Sequence, residues 1–264
     1  MRSLPGDAPS APVANVDVAA FDFDGTLTEG GSVFAFLVHL RGRSAVMAAT
    51  SQMAPALARA ALLGGEAADD TKQALFVRLL AGYPADEAAT RAALFAEAHI
   101  GEHLRADSAE RLRWHQRLGH RTVVVSASPE IYVREVARLL EIDGVVATRL
   151  AVDEAGLLTG RYEGNNCRGE EKSVRLRAWM TETRAAVDGG SASVEYVEQA
   201  SSEPESASAS PRRLWAYGNS RGDRELLDMA DVGVNMGKLG RVGRLRRYPR
   251  LVELDQGVAA PPTV

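Results

Sequence analysis

The chain has 264 residues, a formal net charge of −4, 45% hydrophobic residues and a single cysteine, Cys167. That length suits one large domain or two modest ones, and one thiol excludes an internal disulfide framework or a cysteine-built zinc cluster. The near-neutral charge argues against a generic nucleic-acid binder, whose basic face shows in the total. A lone cysteine also fits a reducing compartment, so a cytoplasmic location is expected. Of the 31 basic residues only Lys72, Lys172 and Lys238 are lysines, which makes each of them conspicuous.

Residues 1–15 are rich in Pro, Ala and Ser, lack the apolar stretch of a signal peptide, and read as a disordered lead-in. VDVAAFDF, at 16–23, is a short apolar run ending in acids and a Gly-Thr turn, as expected of a buried strand feeding a loop. Residues 32–113 are dominated by Ala, Leu and Arg, with breaks at Gly64-Gly65 and Gly82-Tyr83-Pro84, and predict four or five helices. Within them, 45–63 approaches the length of a membrane span but is interrupted by Thr50, Ser51, Gln52, Pro55 and Arg59. It reads as an amphipathic helix, with weak membrane-surface contact as the alternative. RTVVVS at 121–126 predicts a β-branched strand, and Ser128-Pro129 predicts an N-cap and first-turn proline for the helix after it. A strand at 145–150, a small hairpin through 157–162 and a helix over 170–184 follow. Residues 188–211 have the composition of a disordered acidic insertion. RLWAY at 213–217 and the short run at 232–234 complete the strands, with a helix starting near Arg224. This alternation predicts an α/β fold, a parallel sheet carrying an inserted helical unit.

Ligand sites in open α/β sheets lie beyond the carboxyl ends of the strands. The polar residues there are Asp22 and Asp24, then Ser126, then Asn219 through Asp223, with Lys172 at the start of a helix. Two carboxylates one residue apart repel strongly, so the pair calls for a hard divalent cation such as Mg²⁺ or for one protonated partner. A hydroxyl beside the free N–H groups of a helix start makes an anion site, and a lysine adds fixed positive charge. Nucleophile, acid/base, metal ligands and phosphate donors together are the parts for phosphoryl transfer.

The string Asp22-Phe23-Asp24-Gly25-Thr26 resembles the first motif of the haloacid dehalogenase superfamily of phosphohydrolases. Ser126 in TVVVS, Lys172 in CRGEEK and GNSRGD at 218–223 resemble the second, third and fourth, in the superfamily's order. The resemblance implies a Rossmann-like core over 16–30 and 114–255, an inserted helical cap of C1 type over 31–113, and a disordered tail at 256–264. It implies that Asp22 is the nucleophile, that Asp24 is the acid/base, and that Ser126, Ala127 and Lys172 hold the phosphoryl group. Mg²⁺ would be held by Asp22, Asp24, Asn219 and Asp223. The fourth motif usually opens with Gly-Asp; Asn219 brings an amide instead, which weakens metal binding and leaves a weakly active or non-catalytic phospho-ligand binder as an alternative.

Among cap types, TEGGSVFAF, SASPEIYV and VGVN resemble subfamily IB, which includes phosphoserine phosphatase-like and phosphatidylglycerophosphatase C-like enzymes. The expected substrate is a small phosphomonoester, then a lipid phosphate, then phosphoserine itself. Arg41, Arg43 and Arg59 are equivalent candidates for a carboxylate binder. His99 and His103, four apart, lack a third metal ligand. Cys167 lacks a base partner and reads as an inert thiol.

Overall fold

The computed structural model describes residues 16–187, 213–237 and 244–255. The N-terminal lead-in, the acidic insertion, the C-terminal tail and Lys238 lie outside the described residues.

In chain order, β1 (Val18–Phe21) leads into α1 (Val33–Arg41), α2 (Arg43–Gln52), α3 (Ala54–Leu63), α4 (Gly65–Leu80), the two-residue β2 (Tyr83–Pro84) and α5 (Ala85–His103). Then come α6 (Ala106–Arg117), β3 (Arg121–Pro129), α7 (Glu130–Leu139), β4 (Gly144–Thr148), β5 (Leu150–Val152), β6 (Leu157–Tyr162) and α8 (Glu170–Val187). The final part holds β7 (Leu214–Gly218), a 3-10 turn (Arg221–Asp223), α9 (Arg224–Asp228), β8 (Val232–Asn235) and α10 (Leu251–Asp255).

The main sheet is parallel throughout, in the order β4-β3-β1-β7-β8. β1 is central and buried along its whole length, which is why its sequence is a continuous apolar run rather than an alternating one. Successive side chains serve opposite layers. Phe21, Val124, Tyr217 and Val234 pack with Tyr132 of α7 and Leu112 of α6. Ala20, Val123, Val125 and Ala216 pack with Leu176 of α8 and Leu226 of α9.

The helical insert is seated on the first of these layers. Phe36 of α1 and Phe95 of α5 place their rings 4.6 and 5.2 Å from that of Tyr132. The chain enters and leaves the insert side by side, Thr28 bridging Leu104 while the Glu29 N–H donates to the His103 carbonyl. The insert is therefore closed at this pairing, not at the 31–113 limits that the resemblance implies. α6 runs unbroken across the 113/114 division, and its His115 bonds the Tyr217 hydroxyl in the core. An amphipathic helix carries no mark of which surface it will cover, so composition grouped α6 with its neighbours.

The hairpin is the second departure from the expected division. β6 pairs antiparallel with β5 and also with β2, so a segment assigned to the core completes a three-stranded sheet with the insert. Gly160 makes this possible. Its φ is +73°, and a Cβ there would fall 2.4 Å from the Val77 Cα of α4. A third correction concerns the start of α7. β3 continues through Pro129, and Pro129 itself takes the N-cap position without a side-chain cap bond. Ser128 is engaged elsewhere.

Candidate active site

Phe21 lies opposite Val124 of β3 and Tyr217 of β7. That register brings Asp22–Asp24, Ser126–Ser128 and Gly218–Asp223 out at one edge, the carboxyl end of the sheet. Phe23 is fully buried, its ring 6.2 Å from that of Tyr132, and anchors the strand end between the two acids. The chain then turns sharply, the N–H groups of Thr26, Leu27 and Thr28 all donating to the Phe23 carbonyl at 2.9–3.1 Å. Gly25 has φ +80°, and a Cβ there would lie 2.0 Å from Asn219 Nδ2. Only glycine lets β1's turn approach β7's so closely.

Lys172 enters from the first turn of α8 and is 1% exposed. Its Nζ donates to Asp22 Oδ1 at 2.6 Å and to Asp223 Oδ1 at 2.5 Å. Burial, reinforced by the Asp223 carboxylate, pushes Asp22 up to about 7 against the opposing pull of Lys172. Burial alone would lower Lys172, but the two carboxylates hold it above the ordinary lysine range. Asp223 Oδ2 accepts from the N–H of Asn219 and from the N–H and hydroxyl of Ser220, at 3.2, 2.8 and 2.8 Å. Thr26 Oγ1 lies 3.1 Å from Asp22 Oδ2 and 3.3 Å from Asn219 Oδ1, tying the turns together.

Asp24 is held differently. Its Oδ1 accepts from the Ser32 N–H at 2.8 Å and its Oδ2 from the Ser128 hydroxyl at 2.6 Å. The Ser32 hydroxyl in turn lies 2.7 Å from that of Tyr132. Ser126 Oγ accepts from the Ser128 N–H at 3.0 Å. Asp22, Asp24, Ser126, Ala127, Lys172 and Asp223 all line a cleft of ≈ 110 Å³. Asn219 does not line it and is linked to Asp22 through the Thr26 hydroxyl.

The donors fit a hard cation. The Asp22 carboxylate, the Asp24 main-chain carbonyl and the Asn219 amide could supply oxygens, and the cleft carries more carboxylates than lysines. Mg²⁺ takes few protein ligands and keeps several waters. Asp223 has both oxygens engaged, by Lys172 and by the Ser220 turn, which suits contact through water rather than direct ligation. Among the described residues no group of three or more His, Cys, Asp or Glu side chains forms a ready-made metal cage.

Several groups around the cleft carry no sequence signal of their own. Ser32 and Ser128 reveal a role only through Asp24, and Arg168 lines the cleft beside Lys172. Lys72, conspicuous as one of three lysines, reaches from α4 to the Ala127 carbonyl at 2.6 Å and to Asn166 Oδ1 at 3.0 Å. Burial lowers it to about 8. Arg41, Arg43 and Arg59 are exposed on the insert and do not line the cleft. Cys167 is fully buried, and burial pushes its thiol up to about 11, so it is inert at neutral pH.

The chain is 31% identical to the protein CicA of Caulobacter vibrioides over 230 residues, 87% of this chain and 88% of that one. Its fold is similar to that of a Bordetella pertussis Tohama I protein of unknown function, with TM-score 0.65 and 20% identity over 92% and 96% of the two chains. It is also similar to a phosphoserine phosphohydrolase-like protein from Francisella tularensis subsp. tularensis SCHU S4, with TM-score 0.58 and 14% identity over 92% and 100%. Residues 19–228 match the sequence model of the haloacid dehalogenase-like hydrolases. The match runs from β1 to α9, past every strand end that feeds the cleft, and the chain belongs to that family.

Proposed function

We propose that this hydrolase is a Mg²⁺-dependent phosphomonoesterase that acts through an aspartyl-phosphate on Asp22, with a small phosphorylated metabolite as substrate. The observation that carries the reading is the unlike treatment of the two acids. Asp22 is gripped by a buried lysine, whereas Asp24 is held only by neutral donors, Ser32 N–H and the Ser128 hydroxyl. Different surroundings assign different roles to neighbouring carboxylates. A carboxylate fixed by Lys172 is oriented for attack. One held by neutral hydrogen-bond donors at the mouth of the same cleft is placed to exchange a proton with the leaving oxygen.

In the first half-reaction Asp22 attacks phosphorus, the P–O bond to the leaving group breaks, and protonated Asp24 gives its proton to the departing oxygen. In the second, Asp24 takes a proton from water, the resulting hydroxide attacks phosphorus, and inorganic phosphate leaves as the Asp22 carboxylate is restored. Ser126, the Ala127 amide and Lys172 hold the phosphoryl oxygens. Asp22, the Asp24 carbonyl, Asn219 and Asp223 would hold Mg²⁺, which would supply positive charge to the reacting phosphoryl group. Hydrolysis of p-nitrophenyl phosphate at millimolar Mg²⁺, abolished by chelator and by Asp22→Asn, is the expected result. A wild type inert toward a panel of phosphomonoesters, with Mg²⁺ present, would remove the support for this reading.

A lipid phosphate is a second substrate class, favoured by the surface of the insert. Leu62 is 86% exposed, Leu63 and Met47 are exposed as well, and no Asp or Glu occurs between Glu29 and Glu66. Among the described residues no helix is long and apolar enough to cross a membrane, so contact would be with its surface. Co-sedimentation with anionic but not zwitterionic vesicles supports this reading, and the absence of binding to both counts against it.

A further inference from the structure

We propose, building on the phosphomonoesterase reading, that Arg168 determines specificity by pairing with a second anion, a carboxylate or phosphate, on the leaving part of the substrate. Lys172 does not serve that purpose, because it is buried against Asp22 and Asp223 and is assigned to the phosphoryl group itself. Arg168 also lines the cleft but is placed at its rim, with a third of its side chain exposed. Its arm lies across the bare backbone of Gly222, where a Cβ would come within 3.0 Å of Nε and 3.1 Å of Cγ. Among the described residues its side chain makes one hydrogen bond, from Nη1 to Asp69 Oδ1 at 3.3 Å, at the long end for such a pair. A guanidinium has five N–H donors in a fork that matches a carboxylate or phosphate, so most of its capacity is unused here.

Asp69 is a built-in stand-in for that anion. It belongs to α4 of the insert, one turn before Lys72, and is fastened independently of Arg168. Its Oδ1 accepts from Asn166 Nδ2 at 2.7 Å, and the Asn166 oxygen accepts from Lys72 at 3.0 Å and from Thr148 at 2.8 Å. A substrate anion can therefore take the guanidinium from Asp69 without unfastening the insert. The small cleft leaves little room for anything beyond a phosphoryl group, so the leaving part extends outside it, where a partly exposed guanidinium of the lining can meet it.

A matched pair of substrates tests the proposal: 3-phosphoglycerate carries a carboxylate where glycerol 3-phosphate carries an alcohol, and p-nitrophenyl phosphate has an uncharged leaving part. Wild type is expected to favour 3-phosphoglycerate over glycerol 3-phosphate about tenfold in kcat/KM. Arg168→Gln erases that preference through KM, the loss on 3-phosphoglycerate exceeding that on the other two substrates about tenfold, while Arg168→Lys retains part of it. Asp69→Asn removes the competing charge and lowers KM for 3-phosphoglycerate, a change opposite in sign to any loss of folding support. Equal loss on all three substrates in Arg168→Gln, or a raised KM in Asp69→Asn, overturns the proposal. Thermal shifts by 3-phosphoglycerate and glycerol 3-phosphate on Asp22→Asn, with and without Arg168→Gln, read the same preference without turnover. An inactive wild type thus refutes the phosphatase reading, whereas equal shifts by both ligands refute the role of Arg168.

Discussion

Replacing Lys172 with methionine keeps most of the side chain's volume and removes its charge. The Nζ lost is the one placed 2.6 Å from Asp22 and 2.5 Å from Asp223, between side chains 8% and 1% exposed. Deleting one member of a buried ion pair costs about 3–5 kcal/mol, because the survivor is left unpaired. Here one lysine serves two carboxylates, so the upper part of that range is expected at pH 8, above the raised value of Asp22. The cost is bounded by protonation. A carboxylate whose folded-state pKa is raised above its unfolded value binds protons more tightly when folded, so stability falls as pH climbs through the raised value. Even with Lys172 present Asp22 is pushed up to about 7, and without it the carboxyl rises further. The destabilisation should therefore shrink to roughly 1–2 kcal/mol at pH 5, where the site holds protons. Urea unfolding of wild type and Lys172→Met in EDTA, followed by tryptophan fluorescence at both pH values, measures the difference, and added Mg²⁺ should restore part of the loss. A cost below about 1 kcal/mol at pH 8, or one equal at the two pH values, would refute the account of Lys172 as the charge that holds these acids together.

His115 is buried between the Tyr217 hydroxyl at 2.7 Å and His120 Nδ1 at 2.8 Å, and burial lowers it to about 3. Its folded-state pKa lies below its unfolded one, so its contribution is complete above pH ~6.5 and is lost toward pH 3 at about 1.4 kcal/mol per unit. His115→Gln should flatten that part of the stability profile, and an unchanged acid limb would count against it. Asn219→Asp adds a charged oxygen to the proposed metal ligands and should lower the half-saturating Mg²⁺ concentration about tenfold; if titrations with and without the substitution superimpose, Asn219 does not touch the ion. Gly160→Ala combines a φ of +73° with a Cβ 2.4 Å from Val77 Cα and should cost about 2–4 kcal/mol. An unchanged denaturation midpoint would show that α4 and β6 separate easily.

The five-stranded sheet was legible because strands buried on both faces leave unbroken apolar runs, as in 18–21 and 123–125. The polar residues that stop those runs are the ones gathered at the cleft, so local pattern and active site coincide there. Ser128 misled for the opposite reason. A serine before Pro-Glu reads as a helix cap, and nothing local shows that Asp24, 104 positions away, takes its hydroxyl instead. The Lys72–Asn166–Asp69 lattice was illegible on the same ground, since each bond in it spans more than 90 residues. Composition could point to Lys72 as unusual without revealing which surface it met. The β2–β6 pairing was hidden because a two-residue strand has no periodicity to detect.

That short pairing changes what kind of moving part the insert can be. Linkers side by side at Thr28 and Leu104 would by themselves make a flap on a single pivot. The hairpin adds a strut, joined to the insert by strand hydrogen bonds and rooted in the core immediately after β4. A panel braced in this way swings only as far as the ends of its strut will flex. One of those ends runs from β6 through Asn166 and Arg168 into Lys172. α4 is thereby joined, through Asp69 to Asn166 and Arg168, to the same short segment that leads into Lys172 and its grip on Asp22.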